Sequence, residues 1–452
     1  MPLWVGAPAR ISSSAFAGAI RASELGRGVL MVDRGTIGGT CVNVGCIPSK
    51  ALLVRSERAR LAGAPTLDDA LSVKGELVER LRQAKYVDLL AEYGIEFRPG
   101  VARLVDPHTV AVDGEPVRAE AIPVAAGARP AIPPIPGLDD AGYLTSTSAL
   151  ELGEAPGRLA VLGAGPVGLE LGQMLGNFGS KVTFIARRSL APRAEPEVAA
   201  RLGGVLEQDG HRILASADTT EVRIDGDEKV LRGNADGEAF EIRVDEILVA
   251  TGRAPNTEGL GLEEVGVDLD PNGAVVVDAE QRTAVRSIYA AGDVTTQPRF
   301  VYVAAAGGAA AAENAFGGGH ESLDFSTMPQ VVFTSPAVAQ SGLTEAEARE
   351  RGFEVESAVL PLDAVPRALV NGDTRGLDKL VAEAGSRRLV GASILADCAP
   401  DVIHSAVLAI DRGMSVDELA RTWAPYLTMA EGLKLAAQTF ERDVSKLSCC
   451  AA

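Results

Sequence analysis

Aromatic side chains, histidine, cysteine and positive charge are all scarce in this chain. Phe, Trp and Tyr together make 4% of 452 residues, so aliphatic side chains must close the cores, and 49 glycines point to tight turns and close helix packing. Lysine and arginine number 43 against 61 acidic residues, a net charge of −18. That balance excludes nucleic acid and anionic membranes as partners, since both demand a positive surface. No apolar run reaches the roughly 20 residues of a membrane span, and MPLWVGAPAR lacks the basic-then-apolar plan of a secretory signal. A cytoplasmic protein is expected, in which structural disulfides are rare and cysteines serve catalysis or metals. The four histidines, His108, His211, His320 and His404, all lie far from any cysteine in sequence, so no zinc site of the usual spacing is completed.

Four of the five cysteines form two close pairs, Cys41 with Cys46 and Cys449 with Cys450. Adjacent cysteines close only a strained ring, so Cys449 and Cys450 are better suited to a soft ion or to another disulfide. The fifth, Cys398, comes after the apolar run LVGASILA and is expected to be a buried structural thiol. Cys41 and Cys46 stand in GGTCVNVGCIPSK, with four residues between them, after a Gly-Gly turn and at a helix start. A helix N-terminus favours thiolate, so this spacing suits a redox-active disulfide.

A second motif lies in RLAVLGAGPVGLELGQMLGNFGSKVTFIARRS. An apolar strand (159–162) runs into Gly163-x-Gly165-x-x-Gly168, then a helix, then a second strand (182–185). Gly163 makes the turn, Gly165 admits a pyrophosphate, and Gly168 lets helix and strand pack. Ala186, Arg187 and Arg188 stand where an acid would hold a ribose 2′-hydroxyl, which favours NADPH over NADH. The same unit recurs earlier, where a strand ends in Asp33, an acid suited to a ribose. In register with the second unit, Arg10 and Ser12 replace the first two glycines, so that loop is either degenerate or the product of a shifted reading frame. AIPVAAGARP ends at Gly127 much as EILVATGRAPN ends at Gly252. SIYAAGDVTT gives a strand (287–290) that delivers Gly292 and Asp293 to a helix start, and residues 304–319 read as a packed helix. From about Met328 the pattern becomes an antiparallel sheet with helices.

In this order GGTCVNVGCIPSK, GxGxxG, ATGRAPN and AAGD resemble the flavin-dependent pyridine nucleotide–disulfide oxidoreductases over nearly the whole length. The resemblance implies an α/β fold of two Rossmann-like dinucleotide-binding domains plus a C-terminal α+β dimerisation domain. Residues 1–148 with 278–325 would bind FAD, 149–277 NADPH, and 326–440 would form the interface, with a flexible tail over 441–452. Electrons would pass from nicotinamide to flavin to the cysteine pair, with Cys46 nearest the flavin and Cys41 facing outward. Lys50 and Glu170 match the family's ion pair. FAD would meet Ser13, Ser14, Asp33, Gly39, Thr40, Lys50, Gly127, Asp293 and Val301. NADPH would meet Gly163, Gly165, Gly168, Arg187, Arg188 and Gly252.

Disulfide reductases of this family carry His-Pro-Thr-x-x-Glu near the C-terminus. Here PYLTMAEG keeps Thr428 and Glu431 but has Tyr426 in place of the histidine. A phenol of pKa near 10 is a poor base at neutral pH, whereas reducing a dithiolate-bound metal needs no proton shuttle. With the LSCC tail and the QPRFVYVAAAGG and VPRALVNGDTRG runs, the chain resembles the mercuric reductase branch. That implies Hg(II), presented as thiol complexes, is collected by Cys449 and Cys450 and passed to Cys41 and Cys46 of the partner in a homodimer. Linear dithiolate coordination suits this softest of common divalent ions. The chain shows no Cys-x-x-Cys metal-binding module and is expected to be the catalytic core. A disulfide reductase like dihydrolipoamide dehydrogenase and a non-catalytic Hg(II)-sequestering protein are the alternatives.

Overall fold

The computed structural model describes residues 3–5 and 12–443. Arg10, Cys449 and Cys450 lie outside the described residues. Short apolar runs alternating with small-residue helices build two parallel sheets. The first has five strands in the order Ile288–Ala290, Ile122–Val124, Leu3–Val5, Leu30–Asp33, Glu96–Pro99. Leu30–Asp33 and Ile122–Val124 are buried along their whole length, as parallel strands covered on both faces must be. Helix Ser13–Glu24 crosses between the strands Leu3–Val5 and Leu30–Asp33 and packs on helix Val301–Ala312. Gly308 makes that packing possible, because a Cβ there would run into the Ser14 backbone.

The second sheet is four parallel strands, Arg212–Leu214, Lys181–Ile185, Arg158–Leu162 and Glu246–Val249. Each parallel sheet carries its own three-stranded antiparallel meander, within 102–118 in the first half and 217–244 in the second. The duplication therefore extends beyond the motifs. The two turns at Gly127 and Gly252 face one another, since Ala128–Pro130 pairs antiparallel with Arg253–Pro255 and clasps the halves together. Both glycines have positive φ, +66° and +137°, which leaves the turns to residues without a Cβ.

The third unit is a five-stranded antiparallel sheet, ordered Gln330–Val332, Ala337–Gly342, Leu389–Ala396, Leu377–Glu383, Val355–Pro361. One hydrophobic cluster joins all three units, with Leu52 and Leu53, Leu169 and Phe184, and Val338 and Leu395 packed together. Among the described residues no helix is long and apolar enough to cross a membrane.

Three expectations need correction. The Ala- and Gly-rich helix runs from Val301 to Ala312 and then widens into a turn over Glu313–Gly317, where Glu313 reaches back to Arg21 at 2.8 Å. No helix starts at Gly292–Asp293; a turn stands between them and Val301. Cys398 is exposed rather than buried. The buried strand ends at Ala396, and Cys398 takes a left-handed conformation (φ 61°) to open helix Ala399–Asp411, which turns its side chain outward.

Candidate active site

GGTCVNVGCIPSK folds as two helices broken at a glycine. Gly38 has φ +105° and precedes the short helix Gly39–Val44, which carries Thr40 and Cys41. At Gly45 a Cβ would sit 2.8 Å from the Thr40 carbonyl oxygen, so only glycine lets the chain turn there and start helix Cys46–Ala62. Asn43 clamps the loop by donating to the carbonyls of Ile37 (3.0 Å) and Gly39 (2.9 Å). Gly39 is buried and Thr40 is exposed.

Cys41 and Cys46 are free and half-buried side by side. The Cys41 thiol donates to Cys46 sulfur, which pulls Cys46 down to about 7 against the cost of burial, with help from the Lys50 charge. Donating that hydrogen bond and being buried push Cys41 up. One proton is thus held on Cys41, and Cys46 is the thiolate at neutral pH. Tyr86, absent from every motif, faces the pair. It sits in a wide helical turn, Gln83–Val87, packs on Phe16 at 4.8 Å, and is raised by burial and then by the negative charge of the cysteine pair, while a hydrogen bond with Ser13 opposes the shift. Its only signal in the sequence is being one of six tyrosines.

Lys50 Nζ lies 2.6 Å from Glu170 Oε2, joining the redox helix to the helix that comes after the glycine loop. Glu170 is 6% exposed. Asp33 is fully buried at the end of its strand. Its Oδ1 accepts from Gly35 N–H at 2.7 Å, while Oδ2 is buried without a partner. Burial raises its carboxyl to about 7. An orphaned acceptor at that position fits a ribose hydroxyl of FAD. Ser14 is fully buried and donates to Ala291 O at 3.1 Å, so it ties helix to turn. Ser12 caps the same helix by accepting from Ala15 N–H. Asp293 pairs at 3.3 Å with Arg253, whose Nε is otherwise buried and unpaired. Val301, 39% exposed, opens helix Val301–Ala312.

At the second loop, a Cβ on Gly163 (φ +104°) would strike the Ala250 carbonyl, and one on Gly168 would strike the Gly163 carbonyl. Gly165 faces open space at the N-terminus of helix Pro166–Asn177, the cradle a pyrophosphate needs. Arg187 and Arg188 are both exposed beyond strand Lys181–Ile185, with Arg187 Nε 3.9 Å from Asp218. Those residues fit NADPH. Tyr426 is 62% exposed, whereas Glu431 is 7% exposed with a buried, unpaired Oε2. Among the described residues no cluster of three or more His, Cys, Asp or Glu side chains could hold a metal ion.

Two nucleotide-type halves, a dithiol on the first and a separate antiparallel sheet define a dithiol-bearing dinucleotide oxidoreductase. Residues 12–308 match the family described as pyridine nucleotide-disulphide oxidoreductase and residues 328–437 match its dimerisation domain; the chain belongs to this family. It is 49% identical to a mercuric reductase of Streptomyces lividans over 97% of this chain and 96% of that one. It is 46% identical to the mercuric reductase of Staphylococcus aureus over 97% and 82%. Among solved structures it resembles the HOCl-induced flavoprotein disulfide reductase RclA from Escherichia coli, with a TM-score of 0.88, 30% identity, and 97% and 99% of the two chains covered.

Proposed function

We infer that this chain reduces Hg(II) to Hg(0) at the expense of NADPH, in a cytoplasmic homodimer. The observation that carries the reading is the Cys41–Cys46 pair, one thiolate and one thiol against Lys50 and Glu170, in a chain nearly half identical to mercuric reductases.

FAD would be held by Ser13, Ser14, Asp33, Gly39, Thr40, Lys50, Gly127, Asp293 and Val301, and NADPH by Gly163, Gly165, Gly168, Arg187, Arg188 and Gly252. When bound, the two cofactors would supply the two electrons of one NADPH to Hg(II) held by the reduced thiol pair, which releases Hg(0) and leaves Cys41 and Cys46 reduced. Cys46, the thiolate, attacks Hg(II) first and displaces one thiolate ligand; the resulting loss of its negative charge frees the Cys41 proton, which passes to the departing thiolate, and Cys41 replaces the second ligand. Lys50 and Glu170 fix an ammonium beside the thiolate, since the Lys50 charge is one of the forces holding Cys46 down. Tyr426 and Tyr86 bring phenols rather than an imidazole, which suits a metal that leaves without being protonated. Cys449 and Cys450 would collect Hg(II) and deliver it to the partner's inner pair.

The test compares substrates. NADPH oxidation should be fast with Hg(II) bound to two small thiols, and slow with glutathione disulfide or lipoamide. A Cys449→Ala/Cys450→Ala variant should lose turnover of thiol-bound Hg(II) and keep much of it with Hg(II) halide. The reverse substrate preference would make the protein a disulfide reductase. A colourless preparation that binds Hg(II) without flavin would make it a sequestering protein.

A further inference from the structure

Three segments far apart in sequence meet behind the redox helix. Helix Cys46–Ala62 contributes Lys50 and Glu57, helix Pro166–Asn177 contributes Glu170 and Gln173, and the turn after strand Gln330–Val332 contributes Phe333 and Ser335. Glu170 takes the Lys50 ammonium on one oxygen at 2.6 Å and accepts from Phe333 N–H on the other at 3.0 Å. Gln173 accepts from Ser335 N–H at 2.7 Å and donates to Ser335 O at 2.9 Å. The Ser335 hydroxyl donates to Glu57 Oε1 at 2.6 Å. The Phe333 ring lies against Lys50, with Nζ 4.6 Å from its centroid.

We propose that Phe333 and Ser335 are positioning residues for the Lys50–Glu170 pair, so that the third domain holds the ammonium in place from outside both nucleotide halves. Core filling does not explain the turn. The Phe333 ring is 38% exposed yet faces the ammonium, and Gln173 is 2% exposed with both ends of its amide engaged by one residue of the third domain. Gripping Gln173 fixes the rotation of the helix that carries Glu170 one turn earlier, because residues three apart share a helix face. The Phe333 N–H then sets the tilt of the carboxylate, and the ring limits where the ammonium can go. A shift of the antiparallel sheet is therefore transmitted to Lys50. That this matters to the flavin rests on the proposed function.

The experiment uses the whole flavin-loaded protein and reads two quantities, the acetylation rate of Lys50 by acetic anhydride, measured by peptide mass spectrometry, and the flavin midpoint potential. Phe333→Leu should be labelled about two- to fivefold faster at Lys50, the loss of one partly exposed cation–π contact. Gln173→Leu should be labelled about tenfold faster, because it removes two partly buried hydrogen bonds. Phe333→Tyr keeps the ring face and should restore the wild-type rate. In both leucine variants the potential should move to more negative values as the ammonium is freed, in the same order. Folded Phe333→Leu with Lys50 labelled at the wild-type rate would overturn the proposal. Faster labelling with an unmoved flavin potential would leave the junction standing and overturn the placement of Lys50 beside the flavin.

Discussion

The two nucleotide halves share a parallel sheet, a crossing helix and an antiparallel meander, yet their second strands end in opposite ways. In the first half Leu30–Asp33 terminates in a buried acid with one oxygen unpaired. In the second, Lys181–Ile185 leads into Ala186 and two exposed arginines. A buried acceptor would suit a neutral hydroxyl, whereas exposed guanidiniums would suit a charged phosphate that keeps part of its hydration. One architecture would thus select two cofactors by the residues at one strand end, while only the second half keeps all three loop glycines.

Breaking the first half should have the largest effect. Asp33→Ala removes the only side-chain acceptor proposed for the ribose, and FAD affinity should fall about ten- to hundredfold, read as flavin absorbance per protein after gel filtration. Full flavin loading in the variant would mean that Asp33 is a core residue only. In the second half, Arg187→Ala/Arg188→Ala should lower kcat/KM for NADPH by about tenfold or more while leaving NADH nearly untouched. Equal losses with both nucleotides would show that the arginines act on something other than the 2′-phosphate.

The smallest effect sharpens the comparison through pH. Burial raises Asp33 to about 7 in the cofactor-free protein, above its unfolded value of about 3.9. A raised folded-state pKa means that the folded chain holds a proton the unfolded chain has released. The protein without flavin should therefore lose stability as pH rises from about 4 through 7. A ribose hydroxyl on Oδ2 favours the ionised carboxylate and offsets that loss. The gap between the melting temperatures of flavin-loaded and flavin-free protein should thus widen by a few degrees from pH 5 to pH 8. A gap independent of pH would argue against ribose binding at Asp33.

The features legible in the sequence are local. The Gly163–Gly168 loop, the Cys41–Cys46 spacing and the acid at Asp33 each lie within one strand–turn–helix segment, where neighbouring residues dictate the geometry. Glu170 is legible only through family resemblance, because its partner is 120 residues away. Tyr86 and the Phe333–Ser335 turn carry no local pattern; they reach the site through tertiary packing. Arg253 lies within ATGRAPN, but its pairing with Asp293 depends on the clasp between halves, which no periodicity announces. Cys398 misleads because an apolar strand predicts burial of its neighbours, and the chain turns outward two residues past the strand's end.

The central claim is that Cys41 and Cys46 hold Hg(II) while it is reduced. Volatile Hg(0) swept from a sealed reaction and counted against NADPH consumed measures it most directly. One Hg(0) should be released per NADPH oxidised by the unmodified protein. Flavin-loaded Cys41→Ala or Cys46→Ala should release none, however mercury is presented. NADPH consumed without Hg(0), or Hg(0) still released by either variant, would contradict the claim.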